Sequence, residues 1–312
     1  MTLPLTEFVQ KATTLSSNVQ TLIPQIWAAQ IEINLRKAAV LEQSLIVNED
    51  LLVPNAGDTV YIPILPDLGP ATALTEGTDI VPIALTNSTS IPMVPTEYGS
   101  IVEITRKALD RMKYNGIEEI MNRLVYSMSQ TIEGQIAALA TAVVPGTASS
   151  MAQVYANGKT STTLATTDTI NDALLHTALT QLEQANNFPF PDGYYRLYVS
   201  PKQANDLFED SNIRNDLRWG ASERLFRGEI GQVAGIRIIA TNYIAPTTIN
   251  SITAYQAMLV APRWASIAYK RRPEAYVDPT LYDGGRRRRF GIISDHTVDL
   301  IHAERGIVLV TA

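Results

Sequence analysis

The chain has 312 residues, of which 46% are hydrophobic and 18% charged, with a formal net charge of -6 and no cysteine. That length supports one large domain or two modest ones sharing a core, and the apolar share excludes a disordered chain. The mild acidity argues against a dedicated DNA-binding protein, which needs a basic surplus to neutralise phosphates, and the lack of cysteine excludes disulfides, thiolate metal sites and thiol nucleophiles.

Met1 to Gln10 carries no basic stretch followed by an apolar one, so no signal peptide is expected, and no run long enough to predict a membrane-spanning helix occurs. Residues 1–23 are polar and rich in Thr and Ser, which reads as an extended arm. Pro24 suits the first position of a helix, and Ile26, Trp27, Ile31, Leu35 and Ala38 lay an apolar stripe along one side of it. From Asn55 to about Ser100 the character changes. Pro54, Pro63, Pro66, Pro70, Pro82, Pro92 and Pro95 punctuate short β-branched runs such as Thr59-Val60-Tyr61-Ile62. Prolines at that density forbid a long helix and are poorly tolerated in central strands. A protruding hairpin or long loop of short strands remains, and such an element cannot bury a core alone.

The clearest helix follows Asn115-Gly116. Ile117, Ile120, Met121, Leu124, Val125, Met128, Ile132, Ile136, Leu139 and Val143 recur at spacings of three and four until Pro145-Gly146 ends the pattern. At 1.5 Å per residue it spans roughly 40 Å, long for a globular domain. Residues 146–167, rich in Thr, Ser, Ala and Gly, read as loop. Asp168 or Thr169 then caps a helix through Asn186, with Ile170, Leu174, Leu175, Ala178, Leu179 and Leu182 buried. After a turn at Pro189, Pro191 and Asp192-Gly193, Tyr194 to Val199 reads as a strand. Ser200-Pro201-Lys202-Gln203 has the spacing of a capping box opening another helix. Strands are expected at Gly231–Thr241 and Ala254–Ala261, and Gly291–Thr311 reads as two β-rich runs broken at Glu304-Arg305-Gly306. Helices and strands mix without strict alternation, so the fold class is α+β.

The search for chemistry finds little. Of the three histidines, His176 falls within a helix, while His296 and His302 stand six apart in a β-rich segment, about 20 Å if both share one strand face. Gly158-Lys159-Thr160 resembles the end of a phosphate-binding loop, but Gln153 stands where that pattern needs Gly. Gly228, Gly231 and Gly235 lack dinucleotide-binding spacing and read as a turn and a close backbone approach. No catalytic residue, cofactor or metal site is expected. Two charge features stand out. Between Asn55 and Thr105 every ionisable charge is acidic (Asp58, Asp67, Glu76, Asp79, Glu97 and Glu103), whereas Arg271-Arg272 and Arg286-Arg287-Arg288-Arg289 concentrate basic charge near the end. Three readings stay open: two solvated surfaces, guanidinium–carboxylate pairing between neighbouring subunits, or an Arg run directed to nucleic acid. The inter-subunit candidates are Asp58, Asp67, Glu76, Asp79, Glu97, Arg271, Arg272, Arg286, Arg287, Arg288 and Arg289.

The order of these pieces resembles that of tailed-phage major capsid proteins of the Hong Kong 97 type. Local matches are Leu197-Tyr198-Val199-Ser200-Pro201-Lys202-Gln203-Ala204-Asn205-Asp206-Leu207, similar to the family's strand, Ser/Asn-Pro and short helix, and Gly228 to Ile238, similar to its glycine-punctuated approach to the next strand. The resemblance implies an N-terminal arm (residues 1–23), a helix and connector (24–54), an E-loop (55–103), a P-domain with a spine helix (104–145), an A-domain (146–260) and a return to the P-domain carrying the Arg-rich loop (261–312). It implies a structural subunit, not an enzyme, that joins copies of itself in hexamers and pentamers of an icosahedral virion shell assembled in the host cytoplasm. Further partners are a separate scaffolding protein, a portal, a cement protein and packaged double-stranded DNA, the last by non-specific proximity; no membrane is involved. Some relatives join neighbours through an E-loop Lys, but no Lys occurs here between Lys37 and Lys107, so no such crosslink is expected. The alternatives are an encapsulin nanocompartment shell of the same fold, an enzyme with an unrecognised site, and a monomeric binding or adhesion module.

Overall fold

The computed structural model describes residues 13–14, 40–48, 59–64, 71, 73, 76, 77, 79, 89–111, 116–141, 151–213, 231–278 and 283–312. The helix expected from Pro24 and most of the N-terminal arm lie outside the described residues. The chain opens with two short strands, β1 (Thr13–Thr14) and β2 (Ile46–Asn48), the second following a 3-10 turn at Glu42–Ser44. A hairpin of β3 (Val60–Ile64) and β4 (Thr89–Met93) precedes the long β5 (Thr96–Thr105), a short α1 (Arg106–Arg111) and the long α2 (Gly116–Thr141). Then come β6 (Ala152–Tyr155), α3 (Asp172–Gln184), β7 (Tyr195–Val199) and α4 (Pro201–Glu209). The remainder is β: β8 (Gln232–Val233), β9 (Ile236–Ala240), β10 (Thr247–Ile249), β11 (Ile252–Val260), β12 (Ala265–Val277), β13 (Arg287–Leu300) and β14 (Gly306–Thr311).

Two sheets organise these elements. One has five strands in the order β1-β5-β13-β12-β2, and the other runs β6-β14-β11-β7-β9-β8 with β10 beside β11. The apolar spacing of α2 has the consequence expected of it: Ile120, Leu124, Met128, Ile132 and Ile136 are buried, in one core with Phe290, Ile292, Ile104 and Tyr269 of the five-stranded sheet. Each such side chain contributes about 1.5–3 kcal/mol of burial, so this stripe alone fixes the helix to the sheet.

The second sheet is buried on both faces. Tyr198, Met258, Val260, Val308 and Val310 join the α2 core, while Leu197, Val199, Leu259, Ile307 and Leu309 pack with Leu174, Leu175, Ala178 and Leu182 of α3 and Leu207 of α4. Two-sided burial explains why β11 and β14 read as continuous apolar runs rather than alternating ones. The capping box at Ser200 forms as its spacing predicts, with the Ser200 hydroxyl accepting from the Gln203 amide and the Gln203 side chain accepting from Ser200 N–H. The cap of α3 falls on Asn171 rather than Asp168 or Thr169. Asp168 instead pins the preceding loop, accepting from Asn157 Nδ2 and Ala165 N–H, both at 2.8 Å.

Three features depart from the sequence reading. Residues 152–155 are a strand, β6, parallel to β14, where a loop was expected: the pairing is long-range and leaves no local signature. β12 went unread because Lys270-Arg271-Arg272-Pro273 has no strand pattern. It is accommodated by two register shifts against β13, between Tyr269 and Glu274, as a strand proline requires. The last strand, β14, leaves β13 and joins the seven-stranded sheet, a change of sheet that the reading of 261–312 did not include, while Val308 and Val310 still pack in the α2 core. After β11 the chain crosses to the five-stranded sheet and back, and these two crossings are stapled: Ala261 N–H donates to Arg305 O at 2.8 Å, and Ile301 N–H to Trp264 O at 2.9 Å.

Candidate assembly interface

Strand alternation decides what the Arg run does. On β13, Arg287 and Arg289 point to one face, while Arg288 between them and Arg286 just before the strand lie exposed. Opposite them, Glu103 of β5 is 5% exposed and takes both: Arg287 Nη1 donates to Oε1 at 2.7 Å and Arg289 Nε to Oε2 at 2.6 Å. One buried carboxylate is thus held between two guanidinium groups, a pairing made of charge-assisted hydrogen bonds. Asp283 adds a second carboxylate to Arg287 at 2.5 Å, and Asp283 and Glu103 together hold that guanidinium still more firmly protonated. Arg287 and Arg289 are therefore engaged within their own subunit. Glu103 belongs to the acidic stretch but was not among the contact candidates, and the signal for it was an inward carboxylate facing alternate arginines.

The remaining candidates are spread around this sheet. Arg271 and Arg272 are exposed on the outer half of β12, where the Arg272 guanidinium lies 5.6 Å from the Tyr269 ring. Glu97 is exposed at the other end of β5, across from Asp295 and six positions from Glu103. Glu76 and Asp79 are exposed; Asp58 and Asp67 lie outside the described residues. Among the described residues the fold therefore does not gather the acidic and basic candidates into one site within a subunit.

The β3–β4 hairpin has two unlike faces. Its register sets Val60 against Met93 and Ile62 against Ile91, all on one side. Val60 and Met93 are buried against Ala268 and Ile301, whereas Ile62, Ile64 and Ile91 are only partly covered. The other side presents Tyr61, 63% exposed, with Pro63 and Pro92. On the sheet face bearing Glu103, Ile101 is 58% exposed. Exposed apolar side chains on an element too thin to have a core point to surface that another chain covers.

Segment 40–48 is docked in detail. Glu133 of α2, 1% exposed, accepts from Leu41 N–H at 3.1 and 2.9 Å and from Glu42 N–H at 3.0 Å, capping the 3-10 turn. Burial pushes the Glu133 carboxyl up from its ordinary value, and those backbone donors oppose the shift. Tyr269 donates to Glu42 at 2.7 Å, Trp264 Nε1 to Ser44 at 3.2 Å, and Asn48 to Ser266 at 2.7 Å. The Tyr269 phenol is pushed well above its usual range, chiefly by burial.

The other candidates for chemistry are separated. His302 pairs with Glu304 at 2.9 Å, His176 with Asp172 at 3.5 Å, and His296 is wholly buried beside Ser294. Among the described residues no group of His, Asp and Glu is arranged to hold a metal ion, and no helix is long and apolar enough to cross a membrane. A groove of about 340 Å³ is lined by Thr169, Asn171, Asp206, Glu209, Asp210 and Asn212. Gly158 follows Asn157 in a tight turn rather than opening a helix. Gly235 does mark a turn, with Ala234 also at positive φ, but no atom lies within 4 Å of where its Cβ would stand, so no close approach requires it.

Residues 88–308, well over half of the chain, match the model of a family described as phage capsid protein. No curated protein matches the chain in sequence. Among solved structures, the capsid of cyanophage P-SCSP1u superposes with a TM-score of 0.72 at 15% identity, covering 94% of each chain. The capsid of Ralstonia phage GP4 gives 0.71 at 14% identity, covering 100% of this chain and 98% of that one. The capsid of a native GTA particle gives 0.65 at 14% identity, with 94% and 96% covered. At these identities the structures establish a shared fold, and the family match favours a phage shell over an encapsulin. An α+β chain that shares its fold with phage capsids over nearly its whole length, and whose residues 88–308 match their family model, belongs to the phage capsid protein family as a structural major capsid protein of the Hong Kong 97-type fold.

Proposed function

We propose that this chain builds the icosahedral head of a tailed phage by packing against copies of itself in hexamers and pentamers, around double-stranded DNA, and that it carries out no catalytic step. The observation that carries the reading is the β3–β4 hairpin, whose partly covered Ile62, Ile64 and Ile91 continue the buried Val60–Met93 face away from its own subunit. The hairpin stands for the E-loop, α2 and the five-stranded sheet for the P-domain, and the seven-stranded sheet with α3 and α4 for the A-domain. Exposed Arg271, Arg286 and Arg288, with Arg272, meet acidic side chains of a neighbour such as Glu76, Asp79 and Glu97. The net charge of -6 suits a wall that does not hold packaged DNA fast. A separate scaffolding protein, a portal and a cement protein complete the head, which assembles in the host cytoplasm.

The test is to express the chain alone and follow it by size exclusion with light scattering and by negative-stain microscopy. Shells, capsomers or sheets are the expected products. A chain that stays monomeric at high concentration, and still does so when the other head proteins are co-expressed, overturns the reading.

A further inference from the structure

One edge of the five-stranded sheet is only begun. β1 pairs with β5 in parallel at two positions, Thr13 with Glu103 and Thr14 with Ile104. β5 runs back from there to Thr96, and among the described residues no strand lies beside its outer edge from Thr96 to Val102. That stretch, Thr-Glu-Tyr-Gly-Ser-Ile-Val, holds no proline and no lysine, the residues that commonly guard an open edge against an added strand. The other flank of the sheet is different. There β12 follows its short pairing with β2 by Lys270-Arg271-Arg272-Pro273 and two register shifts against β13. The inward side of β5 is also incompletely covered, since Tyr98 and Val102 pack against the α2 core yet are only partly buried. On its outward side Ile101 is exposed.

We infer that this edge is a docking site for the chain's own arm: residues 8–12 extend β1 along β5 as a parallel strand of the same subunit. The pairing already in place sets the register. Continued backwards from Thr13 and Glu103, it puts Ala12 beside Val102, Lys11 beside Ile101, Gln10 beside Ser100, Val9 beside Gly99 and Phe8 beside Tyr98. Alternation then sends Phe8 and Ala12 to the side of Tyr98 and Val102, where the α2 core lies, and Val9 and Lys11 to the outer side with Ile101. The partly buried side chains of β5 thereby gain apolar neighbours. The Lys11 stem lies along Ile101 and keeps its ammonium in water. A slip of one residue would turn Lys11 towards the core and Phe8 to solvent, so burial favours the register that β1 begins. One step further back, Glu7 would face Glu97, and like charges directly opposite each other repel, which ends the ladder at Phe8.

The experiment is disulfide trapping in the full chain, which has no cysteine of its own to interfere. Paired strands stand about 4.8 Å apart, within reach of a disulfide between side chains on one face. Soluble subunits carrying Lys11→Cys with Ile101→Cys are oxidised mildly and read by non-reducing gel and peptide mass. A disulfide within one chain is expected, formed several-fold faster than in the control, Gln10→Cys with Ile101→Cys, whose side chains the register puts on opposite faces. Failure of the first pair to join, equal rates in the two pairs, or a disulfide that links two chains each overturns the inference. Hydrogen exchange on the wild-type chain gives a second reading that stands even if the substituted chains do not fold. Every second amide from Tyr98 to Val102 faces the edge rather than β13, and those amides are expected to be protected as an internal strand's are. Exchange there at the rate of an unfolded chain overturns the inference as well.

Discussion

Buried carboxylates carry much of the residue-scale logic of this subunit. Glu103 satisfies two arginines and Glu133 caps a turn, so each acts through hydrogen bonds rather than through loose surface charge. Glu103→Ala leaves both guanidinium groups without that carboxylate, and a lower urea midpoint with an unchanged slope is expected. Glu133 makes a pH prediction with a definite sign. Its carboxyl is raised above the ordinary 4.5, so it binds a proton more tightly folded than unfolded. The cost of its burial is absent in acid and grows as the pH climbs from that ordinary value through the folded one. The stability of Glu133→Gln relative to the wild-type chain should therefore improve over that rise, as read by urea midpoints across the range. A difference that moves the other way would mean that the backbone donors outweigh burial.

Elements are held by a few positions whose chemistry admits no substitute. β13 carries Gly291 beneath Tyr276 of β12, and a Cβ there would lie 2.7 Å from the phenol ring. Gly291→Ala must lift the ring or bend the strand, and a loss of about 1–3 kcal/mol is expected for such overpacking. The same change made with Tyr276→Ala already present should cost much less, a coupling that a double-mutant cycle with denaturant unfolding measures. The cap of α4 is simpler. Ser200→Ala removes the acceptor of the Gln203 amide and is expected to cost about 1 kcal/mol.

At the scale of the whole molecule the exposed charges and the hairpin should matter to assembly and little to folding. Arg286→Glu combined with Arg288→Glu is expected to abolish shell formation in light scattering while circular dichroism stays that of the wild-type chain, because both side chains are exposed. Glu76→Lys with Asp79→Lys should restore part of the assembly if these are the partners. Ile62→Asp should act in the same way through the apolar face of the hairpin. With no Lys between Lys37 and Lys107, mature particles should run on a denaturing gel as one monomer band rather than as a ladder.

Local rules were enough for the elements whose signals are local. The apolar spacing of Ile120 to Ile136 marks α2, Ser200 to Gln203 marks a capping box, and the prolines around Tyr61 mark a hairpin rather than a helix. The order of those elements was also legible, and it was the order that resembled the capsid family later matched by sequence. What sequence could not carry was pairing between distant strands. β6 exists because β14 lies beside it, β12 bends around Pro273 because β13 holds both its ends, and β14 changes sheet because its two apolar faces need cover from both cores. The charges follow the same rule. Composition shows an acidic stretch and an Arg run, but β-strand alternation and a buried site at Glu103 decide which arginines turn inward and which stay at the surface. Spacing along the chain sets the faces of a helix or strand, while the burial of a charge depends on what the rest of the chain brings against it, and only the tertiary structure settles that.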